Sequence, residues 1–175
     1  AGAAVSRGRN GDFVAVWTSE ESSGNDSSGF SIQGRLYSAD GTPQGGEFQV
    51  NTYATGTQQA NAVAKDVDGD FVVIWQSNGS NDTDSSGFSV QGRRYAASGA
   101  PLGEQFQVNT YTPNTQSAAS VAIDGNGNFL VAFQSSFAIP SFPDIRAQRF
   151  RVTGNVLGRV FFDQNLDGLQ NEGEP

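Results

Sequence analysis

The chain has 175 residues, 36% hydrophobic and 11% aromatic, and contains no Cys, His or Met. That composition removes disulfides, Cys/His zinc sites, thiol and Ser-His-Asp nucleophile systems and any imidazole base, leaving carboxylates and hard oxygen ligands. Eighteen acidic residues against ten basic ones give a formal net charge of -8, the wrong sign for tracking phosphates, so no nucleic acid partner is expected. No run approaches the roughly 18 apolar residues of a membrane span, and Ala1 to Gly11 lacks the basic and apolar regions of a signal peptide, so no membrane insertion is expected.

In chain order, the first turn signal is Asn10-Gly11, followed by the apolar run Asp12-Phe13-Val14-Ala15-Val16-Trp17. A Ser/Gly/Asn/Asp-rich loop from Glu20 to Ser28 comes next, then Ser28-Gly29-Phe30-Ser31-Ile32-Gln33-Gly34-Arg35, then Phe48-Gln49-Val50-Asn51-Thr52-Tyr53. All of this returns 58 residues later, since Asp12 to Trp17 becomes Asp70 to Trp75, Ser28 to Arg35 becomes Ser86 to Arg93, and Phe48 to Tyr53 becomes Phe106 to Tyr111. A third pass gives Asn128-Phe129-Leu130-Val131-Ala132-Phe133, and then Ile145 to Phe150 matches Val90 to Tyr95 at an offset of 55, so the intervening loop is three residues shorter. A fixed period of this kind decides architecture before any local reading does.

Each copy holds four short runs bounded by Gly, Asn, Asp, Ser or Pro, the signature of strands and turns. In the second copy they are expected near Asn61 to Lys65, Phe71 to Gln76, Phe88 to Tyr95 and Glu104 to Thr110. Asn10-Gly11, Asp68-Gly69 and Asn126-Gly127 should close the hairpin between the first two strands of each copy, because these residues tolerate positive φ. The second strand, Phe-Val-Val-Ile-Trp in copy two, is apolar at every position and should be buried on both faces. The fold class expected is all-β, as four-stranded antiparallel β-propeller-like blades repeated three times, with a β-solenoid or a sandwich array as the alternatives. The repeats are set at 1–58, 59–116 and 117–155 (partial). Rings have roughly four to eight blades, so the unsatisfied edges are expected to be covered by flanking segments or by self-association. The chain begins in mid-pattern and without Met, and is expected to be a piece of something longer.

The blocks Gly69 to Ser77, Gln91-Gly92-Arg93-Arg94-Tyr95 and Pro101 to Thr110 resemble tandem repeats of large secreted bacterial surface proteins of the adhesin and calcium-binding haemolysin kind. The resemblance implies propeller-type modules, an extracellular or cell-surface location and no enzyme activity.

The strongest local motif runs from Asp163 to Glu174 and fits the calcium-loop pattern D-x-[DN]-x-[DN]-G-x5-E at each specified position. Asp163, Asn165 and Asp167 fall at positions 1, 3 and 5, Gly168 permits the sharp turn, Leu169 offers a backbone carbonyl, and Glu174 can close the shell around Ca2+. The alternative is a solvated acidic turn. The preceding Asn155 to Phe162 reads as a strand rather than a helix. Gly158 to Gly168 followed by Gly173-Glu174-Pro175 is similar to the opening of the B-type calcium-binding domains of Sdr-like bacterial surface adhesins, which places 156–175 at the start of such a segment and implies Asp163, Asn165, Asp167 and Glu174 as ligands.

Weaker signals have plainer explanations. Asp66-Val67-Asp68-Gly69-Asp70 has metal-loop character, but turn chemistry accounts for it and for its copies. Trp17 and Trp75 could stack on a glycan, yet they lie inside apolar strands and should pack in the core. Arg35, Arg93 and Arg94 are expected to pair with Tyr37, Tyr95 or carboxylates. A paired-carboxylate glycosidase site is the one catalytic device the composition permits, and the recurring acids fall at turns, so no catalytic residue is assigned. The leading expectation is a non-enzymatic, calcium-binding structural or adhesive module. A carbohydrate-binding module using loops 20–28 and 78–86, with a surface glycan as partner, is the competing one.

Overall fold

Hairpin turns set where the strands begin. In the first copy Gly8 N donates to Asp12 O at 2.7 Å and Gly11 N donates back to Gly8 O at 3.1 Å; the same pair of bonds closes Asp66 to Asp70 and Asp124 to Asn128. Gly11, Gly69 and Gly127 have φ of 89°, 90° and 79°, whereas Asn10, Asp68 and Asn126 are not in the left-handed region. The turn is therefore the three-residue form that ends in a left-handed glycine, not the two-residue form in which both turn residues need positive φ.

The computed structural model describes residues 2–20, 22–80, 82–136, 144–153 and 155–160. Among these residues every element is a strand: β1 (Ala3–Arg7), β2 (Phe13–Ser19), β3 (Ser31–Tyr37), β4 (Phe48–Gln49), β5 (Gln58–Lys65), β6 (Phe71–Asn78), β7 (Phe88–Tyr95), β8 (Phe106–Gln107), β9 (Gln116–Ile123), β10 (Phe129–Ser135), β11 (Asp144–Thr153) and β12 (Asn155–Val160). They form three four-stranded antiparallel sheets in the orders β1-β2-β3-β4, β5-β6-β7-β8 and β9-β10-β11-β12. The protein is all-β, and each 58-residue period makes one sheet. The fourth strands of the first two sheets are only two residues long, against the expected Glu104 to Thr110, and β5 starts three residues earlier than expected, with a register irregularity between Gln59 and Ala62.

Each hairpin is fastened at its base by one cross-strand aromatic pair, an arrangement that gains more than its buried area alone supplies. Phe13 stacks on Tyr37 at 4.9 Å, Phe71 on Tyr95 at 5.0 Å and Phe129 on Phe150 at 4.6 Å between ring centroids. The fourth-strand phenylalanines then reach across to the next sheet, Phe48 to Tyr95 at 5.5 Å and Phe106 to Phe150 at 5.2 Å. Room for those rings comes from glycine in the neighbouring strand. A Cβ on Gly34 would stand 2.7 Å from Phe48 Cζ, and one on Gly92 would stand 2.6 Å from Phe106 Cζ and 2.9 Å from Ile74 Cδ1.

Two hydrophobic clusters join the three sheets face to face. The first holds Val14, Val16, Ile32, Leu36 and Val50 of sheet 1 against Val63, Phe71, Val73, Trp75 and Tyr95 of sheet 2. The second holds Ala64, Val72, Ile74, Val90 and Val108 of sheet 2 against Phe129, Val131, Phe133 and Phe150 of sheet 3. Side chains alternate across a strand, so β6 sends Phe71, Val73 and Trp75 one way and Val72 and Ile74 the other, and all five are at most 1% exposed. β2 and β10 are just as apolar in sequence, yet each buries only one face fully.

Gly92→Val puts three carbons where two side chains already meet, and overpacking of this kind should cost about 2 kcal/mol. Urea unfolding followed by tryptophan fluorescence measures it; an unchanged midpoint would mean that Phe106 is not held over Gly92.

Candidate functional site

The recurring motif Phe-Gln-Val-Asn does most to connect one sheet to the next. Its Asn leaves the sheet while its side chain stays in it. Val50 N donates to Ile32 O at 2.8 Å, and Asn51 Oδ1 then accepts from Ile32 N at 2.8 Å. In the next copy Val108 N donates to Val90 O and Asn109 Oδ1 accepts from Val90 N, both at 2.8 Å. The amide oxygen stands in for a backbone carbonyl, so a donor near the start of β3 or β7 is satisfied although the fourth strand has already ended. That is why these strands are so short.

Nδ2 of the same side chain faces three acceptors that belong to three different segments. For Asn51 these are Asp26 Oδ2 at 2.7 Å, Tyr53 O at 3.0 Å and Gln58 Oε1 at 3.2 Å. For Asn109 they are Asp84 Oδ2 at 2.7 Å, Tyr111 O at 3.0 Å and Gln116 Oε1 at 3.1 Å. Asp26 and Asp84 come from the long loops, Gln58 and Gln116 from the first strand of the following sheet, and all of these side chains are buried. Gln49 Oε1 completes the clamp by accepting from Ser22 Oγ at 2.6 Å and Asp26 N at 3.0 Å, and Gln107 Oε1 does the same for Ser80 Oγ and Asp84 N at 3.1 Å each.

The Ser/Gly/Asn/Asp-rich loops, read from sequence as a candidate glycan surface, therefore commit much of their polar chemistry inward. Ser23 Oγ donates to Gln33 Oε1 at 2.5 Å, Ser28 Oγ donates to Ala54 O at 2.7 Å, and Ser86 Oγ donates to Thr112 O. Asp26 Oδ1 and Asp84 Oδ1 accept from Ser28 N and Ser86 N at 3.1 Å. Each loop ties the strands of its own sheet to the crossover that leads into the next.

A second tie is ionic. Lys65, whose side chain is fully buried, pairs with Asp12 of the preceding sheet, and Lys65 N donates to Ser6 Oγ at 3.0 Å. A buried ammonium needs such a partner. Tyr95 OH donates to Val50 O at 3.0 Å and Arg93 Nη1 donates to the same oxygen at 3.3 Å, while the Arg93 guanidinium lies 5.6 Å from the Tyr95 ring centre. Burial pushes the Tyr95 phenol up to about 12, with Arg93 opposing the shift, so this hydroxyl remains a donor at any physiological pH. Arg35 is placed 6.0 Å over Tyr37 in the first sheet.

The candidate residues of the sequence divide clearly. Asp163, Asn165, Asp167, Leu169 and Glu174 lie outside the described residues. Among the described residues no group of three or more His, Cys, Asp or Glu is arranged to hold a metal ion. At 66–70 Asp66 serves the turn, its Oδ1 accepting from Asp68 N at 3.0 Å, while Asp70 Oδ1 accepts from Ala97 N at 2.9 Å in the turn after β7. Trp75 is in the core at 0% exposure, whereas Trp17 is half-buried on the outer face of sheet 1. Asn51, Asn109 and Lys65 were not singled out by sequence reasoning, and Asp12 entered it only as a recurring turn acid. The one signal for the two asparagines was their verbatim recurrence at 58 residues, which an ordinary strand end does not require.

No family model matches the chain, and no curated protein matches it. A solved structure from Dyadobacter fermentans, described as a protein of unknown function, is similar with a TM-score of 0.56 at 11% identity over 90% of this chain. The likeness is one of fold alone, and the chain spans about half (52%) of that protein's length.

Replacing Asn109 by Ala leaves Val90 N, Asp84 and Gln116 without their shared partner in a buried site and should destabilise the protein by about 2–4 kcal/mol; a loss below about 1 kcal/mol in urea unfolding would show that the network is not what joins the sheets. The carboxylates also set a pH response. Asp84 and Asp66 are raised above 3.8, chiefly by desolvation, so the native chain binds protons more tightly and their cost disappears as pH falls toward 3.8. Asp40 is lowered mainly by the Ser38 hydroxyl and Asp124 mainly by the Asn128 amide, so their contribution is lost only below 3.8. The unfolding midpoint at about pH 4.5 should equal or exceed that at pH 7, and a clear fall across that window contradicts the assignment.

Proposed function

We propose that this chain is a non-enzymatic, propeller-type structural module of a bacterial extracellular or cell-surface protein, binding Ca2+ through its 163–174 segment and acting through assembly or surface attachment. The observation that carries the reading is the commitment of the repeat's charged and polar groups to joints between sheets: Asp26, Asp84, Asn51, Asn109, Asp12 and Lys65 all face a neighbouring segment of the protein. A repeat built this way is a stacking unit, and stacked four-stranded antiparallel sheets with an inner strand covered on both sides are what a propeller blade needs. Calcium is supported by the loop pattern and its four acidic residues, Asp163, Asp167, Glu172 and Glu174, in a stretch without Lys or Arg.

Calorimetric titration of the full chain with CaCl2 should give one site with Kd on the order of 10⁻⁴ to 10⁻³ M, the range of extracellular modules. Asp163→Ala and Asp167→Ala should each remove the heat; equal heats in both variants would sink the calcium assignment.

A further inference from the structure

The two outer sheets each turn one apolar face away from the molecule, and the repeat itself says what those faces match. On sheet 1 the outer face carries Val5, Phe13, Ala15, Trp17 and Tyr37. Moved forward by one period of 58, these become Val63, Phe71, Val73, Trp75 and Tyr95, the face by which sheet 2 packs on sheet 1. On sheet 3 the outer face carries Leu130 and Ala132 of β10 with Ile145 and Arg149 of β11, which the register pairs as Leu130 with Arg149 and Gln134 with Ile145. Their equivalents in sheet 2 are Val72, Ile74, Val90 and Arg94, the first three of which form the face by which sheet 2 packs on sheet 3.

Exposure follows the same logic. Val5 is 65% exposed where Val63 is 9%, Leu130 is 46% where Val72 is 0%, and Ile145 is 67% where Val90 is 0%. Three of the five exposed large hydrophobic side chains among the described residues thus occupy positions that the repeat buries in the middle sheet; the other two, Val67 and Leu102, lie in turns. Leu130, Ala122 and Arg149 line a shallow groove on the sheet 3 side together with Asp124 and Asn128.

Charge is matched as well. The equivalent of Lys65 on the outer side of sheet 1 is Arg7. The equivalent of its partner Asp12 on sheet 3 is Asn128, which cannot pair with a cation by charge. Asp124 stands where Gly8 stands in sheet 1, and a Cβ on Gly8 would run into Asp12 Oδ1 and stand 3.2 Å from Lys65 Cε, beside the ion pair. The carboxylate of Asp124, held by Asn128 Nδ2 at 2.8 Å, is therefore positioned to receive Arg7 of an incoming sheet 1.

We propose that these two faces are the two halves of one junction, and that a second copy of this chain docks across it head to tail, its sheet 1 on the sheet 3 of the first. The contact is heterologous, so it propagates unless the rotation per copy closes a ring. The inference rests on the reading of the repeat as a stacking unit and adds the surfaces, the partner and the polarity.

Sedimentation velocity of the full chain across roughly two decades of concentration should show reversible association that weakens with added salt. Val5→Glu blocks the sheet 1 face and Leu130→Glu the sheet 3 face. Both side chains are exposed in the single chain, so folding should be retained and is checked by circular dichroism. Each variant alone should lose at least about a hundredfold in association, since a charge is buried in an apolar contact. Mixed together the two variants should form a 1:1 dimer and nothing larger, because one open face of each kind remains. Trp17 emission, isolated in a Trp75→Phe background, should shift to the blue as copies associate. Association that persists unchanged in Val5→Glu, or a mixture that stays monomeric, overturns the face assignment while leaving the stacking module intact. A wild-type chain monomeric throughout overturns the docking of a second copy and gives the two faces to another occupant; loss of calcium binding alone bears only on the 163–174 assignment.

Discussion

One asparagine per junction holds this architecture together. A β-strand that must leave its sheet to begin another abandons the donors of the neighbouring strand, and a buried unsatisfied donor is costly. Asn51 and Asn109 remove that conflict by leaving an amide oxygen in the ladder while the backbone turns away, and the amide nitrogen then gathers a loop carboxylate and the first residue of the next strand. Strand ending, loop placement and sheet-to-sheet connection are thus a single chemical event, and nothing in it is specific to one copy. The period of the sequence is the period of this device.

Around that joint, the remaining contacts join unlike faces. A fourth-strand phenylalanine reaches forward to the next aromatic stack, a buried lysine reaches back to an aspartate, and a tyrosine hydroxyl grips the carbonyl of the strand behind it. Each sheet therefore has a front and a back with different chemistry, and the middle sheet is the one place where both are occupied. This polarity separates the molecule from a sandwich, whose two sheets face each other and turn polar faces to water. It also explains why equally apolar strands, β2, β6 and β10, differ in burial: position in the stack decides it, not composition.

Much of the fold was legible in the residues. The 58-residue period, the turn dipeptides and the unbroken apolar runs led to three four-stranded sheets and to the double burial of β6. The turns kept one secret, because Asn-Gly and Asp-Gly are compatible with two hairpin geometries and only the backbone tells which is used. What could not be read was the work of neutral polar residues. Phe106 to Thr110 looks like a strand by composition, and an asparagine that replaces a backbone carbonyl has the same one-letter code as one that faces solvent. The clamp made by the loops at 20–28 and 78–86 was hidden for a related reason: Ser, Gly, Asn and Asp suit a binding loop and an internal clamp equally well, and only long-range partners such as Gln49 or Gln107 reveal the clamp.

The two-sided cover of β6 has a dynamic consequence. Its amides are shielded by a packed sheet on either side, whereas β1 and the exposed side of β10 have one neighbour fewer. In a linear stack whose stability is a sum of sheet and junction contributions, opening starts at the ends. Amide hydrogen exchange should therefore be graded along the chain, fastest in the outermost strands and slowest between Phe71 and Trp75, so that the middle repeat acts as the thermodynamic keel of the molecule.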